Sequence, residues 1–140
     1  MDSILHKAYL SLGANIGNRK RTMCEAVTLL GEIVGCVSRQ SSVYETEPWG
    51  FDTPNKFLNM CVCVTTALSP LELLDATQDI ERQLGRVGKT SDDGTYHDRV
   101  IDIDILLYDD EHISNDRLTV PHPLMHDRDF VMKPLREIKD

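Results

Sequence analysis

From residue 8 to 12 apolar and polar positions alternate, with Ala8, Leu10 and Leu12 facing one way and Tyr9 and Ser11 the other, before Gly13 and the polar stretch 15–18. A period of two predicts a strand entering a turn. Between 19 and 34 the period lengthens. Met23, Val27, Leu30 and Val34 recur at helical spacing, with Asn18 available as an N-cap and Gly35 as a stop. Residues 37–47 read as a polar strand leading into Pro48, Trp49 and Gly50, and 57–65 as a buried strand rich in β-branched and apolar residues. Ser69, Pro70 and Glu72 supply an N-cap, an N1 proline and a capping-box acid for a second helix, whose Leu73, Ala76, Ile80 and Leu84 share a side before Gly85. Residues 86–99, polar and carrying Gly88 and Gly94, predict a loop of the kind that often carries function. A strand follows at 100–107, a short one at 118–120, and a helix at 127–133 that Pro134 should end.

The order β-α-β-β-α-β plus a tail predicts an α+β fold: a split β-α-β arrangement with a mainly antiparallel sheet flanked by helices, not a doubly wound parallel one. With 140 residues, the expectation is a single domain over 1–140. Gly13 and Gly17 lack the third glycine and the later acid of a dinucleotide loop, so they read as a structural turn. No apolar run approaches the ~20 residues that cross a bilayer, and the first residues carry no signal core, so the expected location is the cytoplasm. A net charge of −8 disfavours nucleic-acid and membrane partners, which need a dense basic patch. Cys24, Cys36, Cys61 and Cys63 are expected as free thiols, with the C-x-C pair lying in a buried strand rather than at a metal.

The candidate chemistry begins in V-I-D-I-D-I-L-L. Alternation puts Asp102 and Asp104 on one strand face and Ile101, Ile103, Ile105 and Leu107 on the other. Carboxylates at i and i+2 stand roughly 7 Å apart at their Cα atoms, and a cation relieves their repulsion. An all-oxygen donor set suits magnesium with phosphates. Alone, the D-x-D pattern favours an ordinary solvated sheet face. Arg86, Lys89 and Arg99 in the preceding loop supply phosphate-compatible charge, although a surface ion-pair network has the same composition. Asn59 shares a face with Phe57, Cys61 and Cys63, opposite Leu58, Met60, Val62 and Val64. Its amide suits a flat heterocycle stacked on Phe57, Trp49 or Phe130, and it suits equally a bond to backbone across the sheet.

Six ordered stretches then resemble one family: S-L-G-A-N-I-G-N, Y-E-T-E-P-W-G, F-L-N, Q-x-x-E-x-x-x-G-R, D-R-V-I-D-I-D-I-L-L and R-L-T-V-P-H-P. Together they resemble the 6-hydroxymethyl-7,8-dihydropterin pyrophosphokinases of folate biosynthesis. The resemblance implies a ferredoxin-like fold, and transfer of the β,γ-pyrophosphoryl group of ATP to the pterin hydroxymethyl oxygen with release of AMP. It implies two Mg2+ ions on Asp102 and Asp104, with Arg86 and Arg99 clamping phosphates and closing the loop. By the same likeness Thr46 and Trp49 would meet the pterin through backbone groups, Asn59 would bond its polar edge, and Phe57 and Phe130 would sandwich it. Gln78, Glu81, Lys89, Ile105, Thr119, His122 and Arg128 would line the ATP side, Ile105 and Thr119 serving the adenine.

The chain departs from the family pattern in three places. Gly88 stands where many members carry a second basic residue, with Lys89 the available substitute. S-D-D-G-T-Y-H-D replaces a common W-G-P stretch, making Tyr96 the natural aromatic lid. The chain also ends soon after Ile138, which touches none of the named residues. The implied protein is a monomeric transferase. The rival readings are a non-catalytic nucleotide- or pterin-binding regulator of the same fold and a plain α+β interaction module.

Overall fold

The computed structural model describes residues 4–47, 55–85 and 100–139. Trp49, Arg86, Lys89, Tyr96 and Arg99, together with Gly88 and the loop 86–99, lie outside the described residues. The elements run β1 (His6–Ala14), α1 (Arg19–Ile33), β2 (Gly35–Gln40), β3 (Tyr44–Thr46), β4 (Phe57–Thr66), α2 (Pro70–Gln83), β5 (Asp102–Tyr108), β6 (Ile113–Ser114), β7 (Thr119–Val120) and α3 (Asp129–Ile138). The main sheet is antiparallel in the order β2-β4-β1-β5, with β3 continuing beside β4, and β6 and β7 form a separate hairpin. Strand β4 inserted between β1 and β2 is the predicted split β-α-β arrangement, and the α+β, ferredoxin-like expectation holds.

Face alternation sorts the core into two clusters. Ala8, Leu10, Leu12 and Ala14 of β1, Met60, Val62 and Val64 of β4, and Ile101, Ile103 and Ile105 face α1 and α2, meeting Met23, Ala26, Leu30, Leu73 and Ile80. The other face is apolar only in part: Tyr9, Cys61, Cys63 and Leu106 pack under Val131, Leu135 and Ile138 of α3. Cys61 and Cys63 are buried free thiols, as expected. Burial, reinforced by the charge of Glu137, pushes the Cys61 thiol up to about 12 and keeps it unreactive.

Several boundaries differ from the pattern-based reading. Strand β1 runs through Gly13 to Ala14. The single strand expected at 37–47 is two, β2 and β3. Ser41 interrupts it: its amide donates to Cys61 O (2.9 Å), while its Oγ accepts from Cys61 N (2.9 Å). Leu107 is not on the Ile103 face. The ladder pairs Leu10 with Ile105 and Tyr9 with Leu107, so Leu106 is an extra residue that turns Leu106 and Leu107 toward α3. Pro134 does not end the last helix, which continues to Ile138. Proline there removes only the bond to the carbonyl four residues back, near the start of the helix, and Pro134 is buried with Val131, Leu135 and Ile138.

Helix α2 carries the predicted capping box. Ser69 Oγ accepts from Glu72 N (3.3 Å) and Glu72 Oε1 accepts from Ser69 N (2.9 Å). These bonds hold the Glu72 carboxyl below its ordinary value. Bonds from Tyr44 and Ser42 do the same for Glu137. A depressed folded-state pKa contributes stability above the unfolded value, and that contribution is lost as pH falls through the folded one. The thermal midpoint should therefore be insensitive to these groups at neutral pH and fall below about pH 4. Glu72→Gln, which cannot titrate, should flatten part of that acid limb, and a limb parallel to the native one would contradict this account.

Candidate active site

Cross-strand partners in an antiparallel sheet share a face. On the α3 face, Asn59 of β4 pairs with Gly13 of β1, which pairs in turn with Asp102 of β5. One step along, Cys61 pairs with Ser11 and Ser11 with Asp104. Tyr44 and Thr46 extend the rows beside Asn59 and Phe57. None of Phe57, Asn59, Gly13, Asp102 and Asp104 belongs to the apolar cluster under α3. The row Asn59–Gly13–Asp102 thus continues the sheet face beyond that cluster, with the amide at one end and a carboxylate at the other, and Asp104 two residues further along β5.

Gly13 is the hinge of this row. A Cβ at that position would stand 3.1 Å from Asn59 Oδ1 and 3.6 Å from the Phe57 ring, so a larger residue would push the amide oxygen back from β1 by a few tenths of an ångström. Asn59 is 3% exposed and its Nδ2 donates to Thr46 Oγ1 at 2.5 Å. The backbone partner considered for this amide is therefore a side chain, and the bond aims Oδ1 over Gly13. Asp102 and Asp104 are both half-buried. Their donor set is oxygen only, beside a residue with no side chain, which fits a hard cation such as Mg2+.

Of the residues expected on the nucleotide side, Ile105 lies in β5, which is an edge of the sheet among the described residues. Helix α2, β7 and the segment after it, which carry Gln78, Glu81, Thr119 and His122, pack beside that strand. Glu81 of α2 is 3% exposed, and its Oε2 accepts from Ile103 N at 2.7 Å, between the two acids. Gln78 lies one turn earlier and is half-buried. His122 N donates to Leu106 O (3.0 Å), and its Nδ1 accepts from Leu124 N (3.2 Å), which in the neutral ring leaves the proton on Nε2. Thr119 is exposed in β7, two residues before the Pro121 that precedes His122. Ile105 differs from its fellows: its side chain is 4% exposed and packs in the α1/α2 core, so its backbone is what it offers at this edge. Arg128 is buried at the start of α3, its guanidinium 5.7 Å from the centre of the half-buried Phe130 ring.

Pattern reading passed over Ser11, Gly13 and Tyr44 as neighbours of the site, although alternation from Tyr9 already puts Ser11 and Gly13 on one face. It also passed over a second constellation. Among the described residues, the group of three or more possible metal ligands that comes together is His6, Asp109 and Glu111. It lies at the opposite end of β1 and β5, where His6 Nδ1 already bonds Asp109 Oδ2 at 2.6 Å, and it is distinct from the acid pair.

Glu81→Ala would leave the Ile103 amide buried without this acceptor, a loss of about 1–3 kcal/mol. Glu81→Gln keeps an acceptor oxygen and should lose clearly less. Urea unfolding of both variants measures the difference, and equal losses would contradict the assigned bond.

The family profile described as 7,8-dihydro-6-hydroxymethylpterin-pyrophosphokinase (HPPK) matches residues 9–140. A Porphyromonas gingivalis protein named 2-amino-4-hydroxy-6-hydroxymethyldihydropteridine pyrophosphokinase is 47% identical over 131 residues, covering 93% of this chain and 88% of that one. A Bacillus subtilis protein of the same name is 45% identical over 132 residues, covering 94% of this chain and 77% of the relative. Among solved structures, Plasmodium falciparum HPPK-DHPS superposes with a TM-score of 0.75 at 16% identity over 98% of this chain, a likeness of fold. The chain spans 40% of that longer protein. With the profile covering nearly the whole chain and relatives this close, the chain belongs to the 7,8-dihydro-6-hydroxymethylpterin-pyrophosphokinase family.

Proposed function

We infer that the chain is an ATP-dependent pyrophosphokinase that transfers the β,γ-pyrophosphoryl group to the hydroxymethyl oxygen of 6-hydroxymethyl-7,8-dihydropterin. The observation that carries this reading is the row Asn59–Gly13–Asp102, which sets a heterocycle-reading amide two strands from a carboxylate pair. Adjacent strands lie about 4.8 Å apart, so the row spans roughly 10 Å. That length fits a bicyclic ring with its hydroxymethyl arm directed at the acids.

In this reading Asn59 presents Oδ1 to donor groups on the pterin edge, and its bond to Thr46 fixes which way the amide faces. Phe57 and Phe130 stack on the ring, with backbone groups of Thr46 and Trp49 completing the pocket. Gln78, Glu81, Thr119, His122 and Arg128 serve the nucleotide with Lys89, and Ile105 contributes backbone to the adenine. Asp102 and Asp104 would hold two Mg2+ ions, which when bound neutralise phosphate charge and favour loss of the acceptor proton. Glu81, through the Ile103 amide, holds the strand between the acids in place. The acceptor oxygen forms its bond to the β-phosphorus as the bond from that phosphorus to the α,β-bridging oxygen breaks. AMP leaves with the bridging oxygen, and the hydroxyl proton passes to solvent. Arg86 and Arg99 clamp the phosphates, and Tyr96 serves as the aromatic cover that excludes competing water. The reading has the chain act as a cytoplasmic monomer without nucleic-acid or membrane partners. The net charge of −8 disfavours nucleic-acid and anionic-membrane surfaces.

Incubation with ATP, Mg2+ and the pterin should release AMP in step with the pterin diphosphate. ADP as the product would overturn the reading. Asp102→Ala and Asp104→Ala should each lower kcat by several orders of magnitude while the circular dichroism spectrum stays native. Near-native turnover in either would refute the role of the pair.

A further inference from the structure

The far end of the pterin side is fastened by a contact that none of the site assignments uses. Glu137, in the last turn of α3, accepts three hydrogen bonds from the segment leading into β3. Ser42 N and Ser42 Oγ reach its Oε1 at 3.0 and 2.9 Å, and Tyr44 OH donates to its Oε2. Next to it, Arg39 of β2 donates through Nη1 to Ile138 O at 2.7 Å. Strand β3 has three residues and, among the described residues, pairs with β4, where Tyr44 lies opposite Asn59 and Thr46 opposite Phe57. So short an edge strand is weakly held by its own ladder. It nevertheless carries the hydroxyl that orients the Asn59 amide. At its other end α3 bears Phe130, about 10 Å from Glu137 at the helical rise of 1.5 Å per residue.

We propose that Glu137 is a positioning residue of the pterin subsite, clamping β3 to α3 so that Thr46, Asn59 and Phe130 are held at a fixed separation before the substrate arrives. This inference rests on the functional reading above. Bonds to a carboxylate are the stronger kind, but this one is exposed, so its net contribution to folding stability is small. Its effect falls on ligand affinity, because a strand fixed in advance spares the pterin the cost of ordering it. The depressed Glu137 carboxyl and the raised Tyr44 hydroxyl, each caused first by their mutual bond, accord with a carboxylate permanently engaged as acceptor. Of the residues assigned to the nucleotide, Arg128 stands on α3 at the end away from Glu137, so the nucleotide side should respond less than the pterin side.

The test measures affinity of the full chain for 6-hydroxymethyl-7,8-dihydropterin in the presence of Mg2+ and an unreactive ATP analogue, and affinity for the analogue itself. Glu137→Ala should weaken pterin binding about tenfold and Tyr44→Phe about threefold, with analogue affinity within about twofold of native. The double variant should be no weaker than Glu137→Ala, since both act through one contact. Glu137→Gln, which still accepts from Ser42 and can bond the Tyr44 hydroxyl, should recover most of the loss. Native pterin affinity in Glu137→Ala, or equal losses for pterin and analogue, would overturn the proposal. If Glu137→Ala does not fold, Tyr44→Phe decides in the same way. Native protein that binds the analogue but no pterin would bring down the functional reading and this inference with it, whereas native binding with unaffected variants would bring down only the inference.

Discussion

The site depends on the antiparallel registration of β1 between β4 and β5. Because successive side chains point to opposite faces, one set of residues builds the α1/α2 core and the other is committed to the opposite face. A slip of one residue would bury Asp102 and Asp104 in the apolar core and turn Ile103 outward, at the cost of two carboxylates in a dry interior. The hydrophobic core is thus what fixes the carboxylates in place. Chemistry and stability are written on alternate residues of the same strands.

Two local features convert this face from a second core into a site. At one end the extra residue Leu106 turns a pair of leucines toward α3, so the helix has an apolar floor there. At the other end Gly13 withholds a side chain, which lets the Asn59 amide approach β1 and leaves the row between amide and acids unobstructed. Glu81 then anchors the backbone amide of the residue between the acids from the core side. A buried carboxylate that accepts from the edge strand also protects that edge from other pairing. The apolar half of the face supports the helix that carries Phe130, and the polar half receives what Phe130 is proposed to stack upon.

Elements with strong periodicity were legible in the chain itself. The capping box at Ser69, the alternation in 57–65 and the acid pair each report a local regularity, and local regularity is what a pattern contains. The features that escaped it are tertiary. Nothing in the polar run 37–47 marks Ser41 as a break, because the bonds that bend the chain there come from Cys61, and Glu137 takes up the segment beyond it. I-L-L at 105–107 fits either face until the partner strand skips a residue. Pro134 reads as a stop when the helix is considered alone, and burial beside Val131 and Leu135 overrides that preference. For Asn59 the pattern announced a buried amide in need of a partner. Only the fold brings Thr46, thirteen residues away in sequence, to meet it. The acid pair changed most: ambiguous as alternating carboxylates, it stands in the structure as one end of a polar row.

The proposed function requires this row to unite acids that hold the metal with an amide that reads the pterin. Manganese in place of magnesium, added with an unreactive ATP analogue to isotopically labelled protein, reports proximity directly through paramagnetic broadening of nuclear resonances. In a substoichiometric manganese titration the account predicts that the Gly13 backbone amide and the Asn59 side-chain amide broaden well before the amides of Asp109 and Glu111, roughly 20 Å along the strands. Broadening centred on His6, Asp109 and Glu111 with Asn59 and Gly13 unaffected would contradict it.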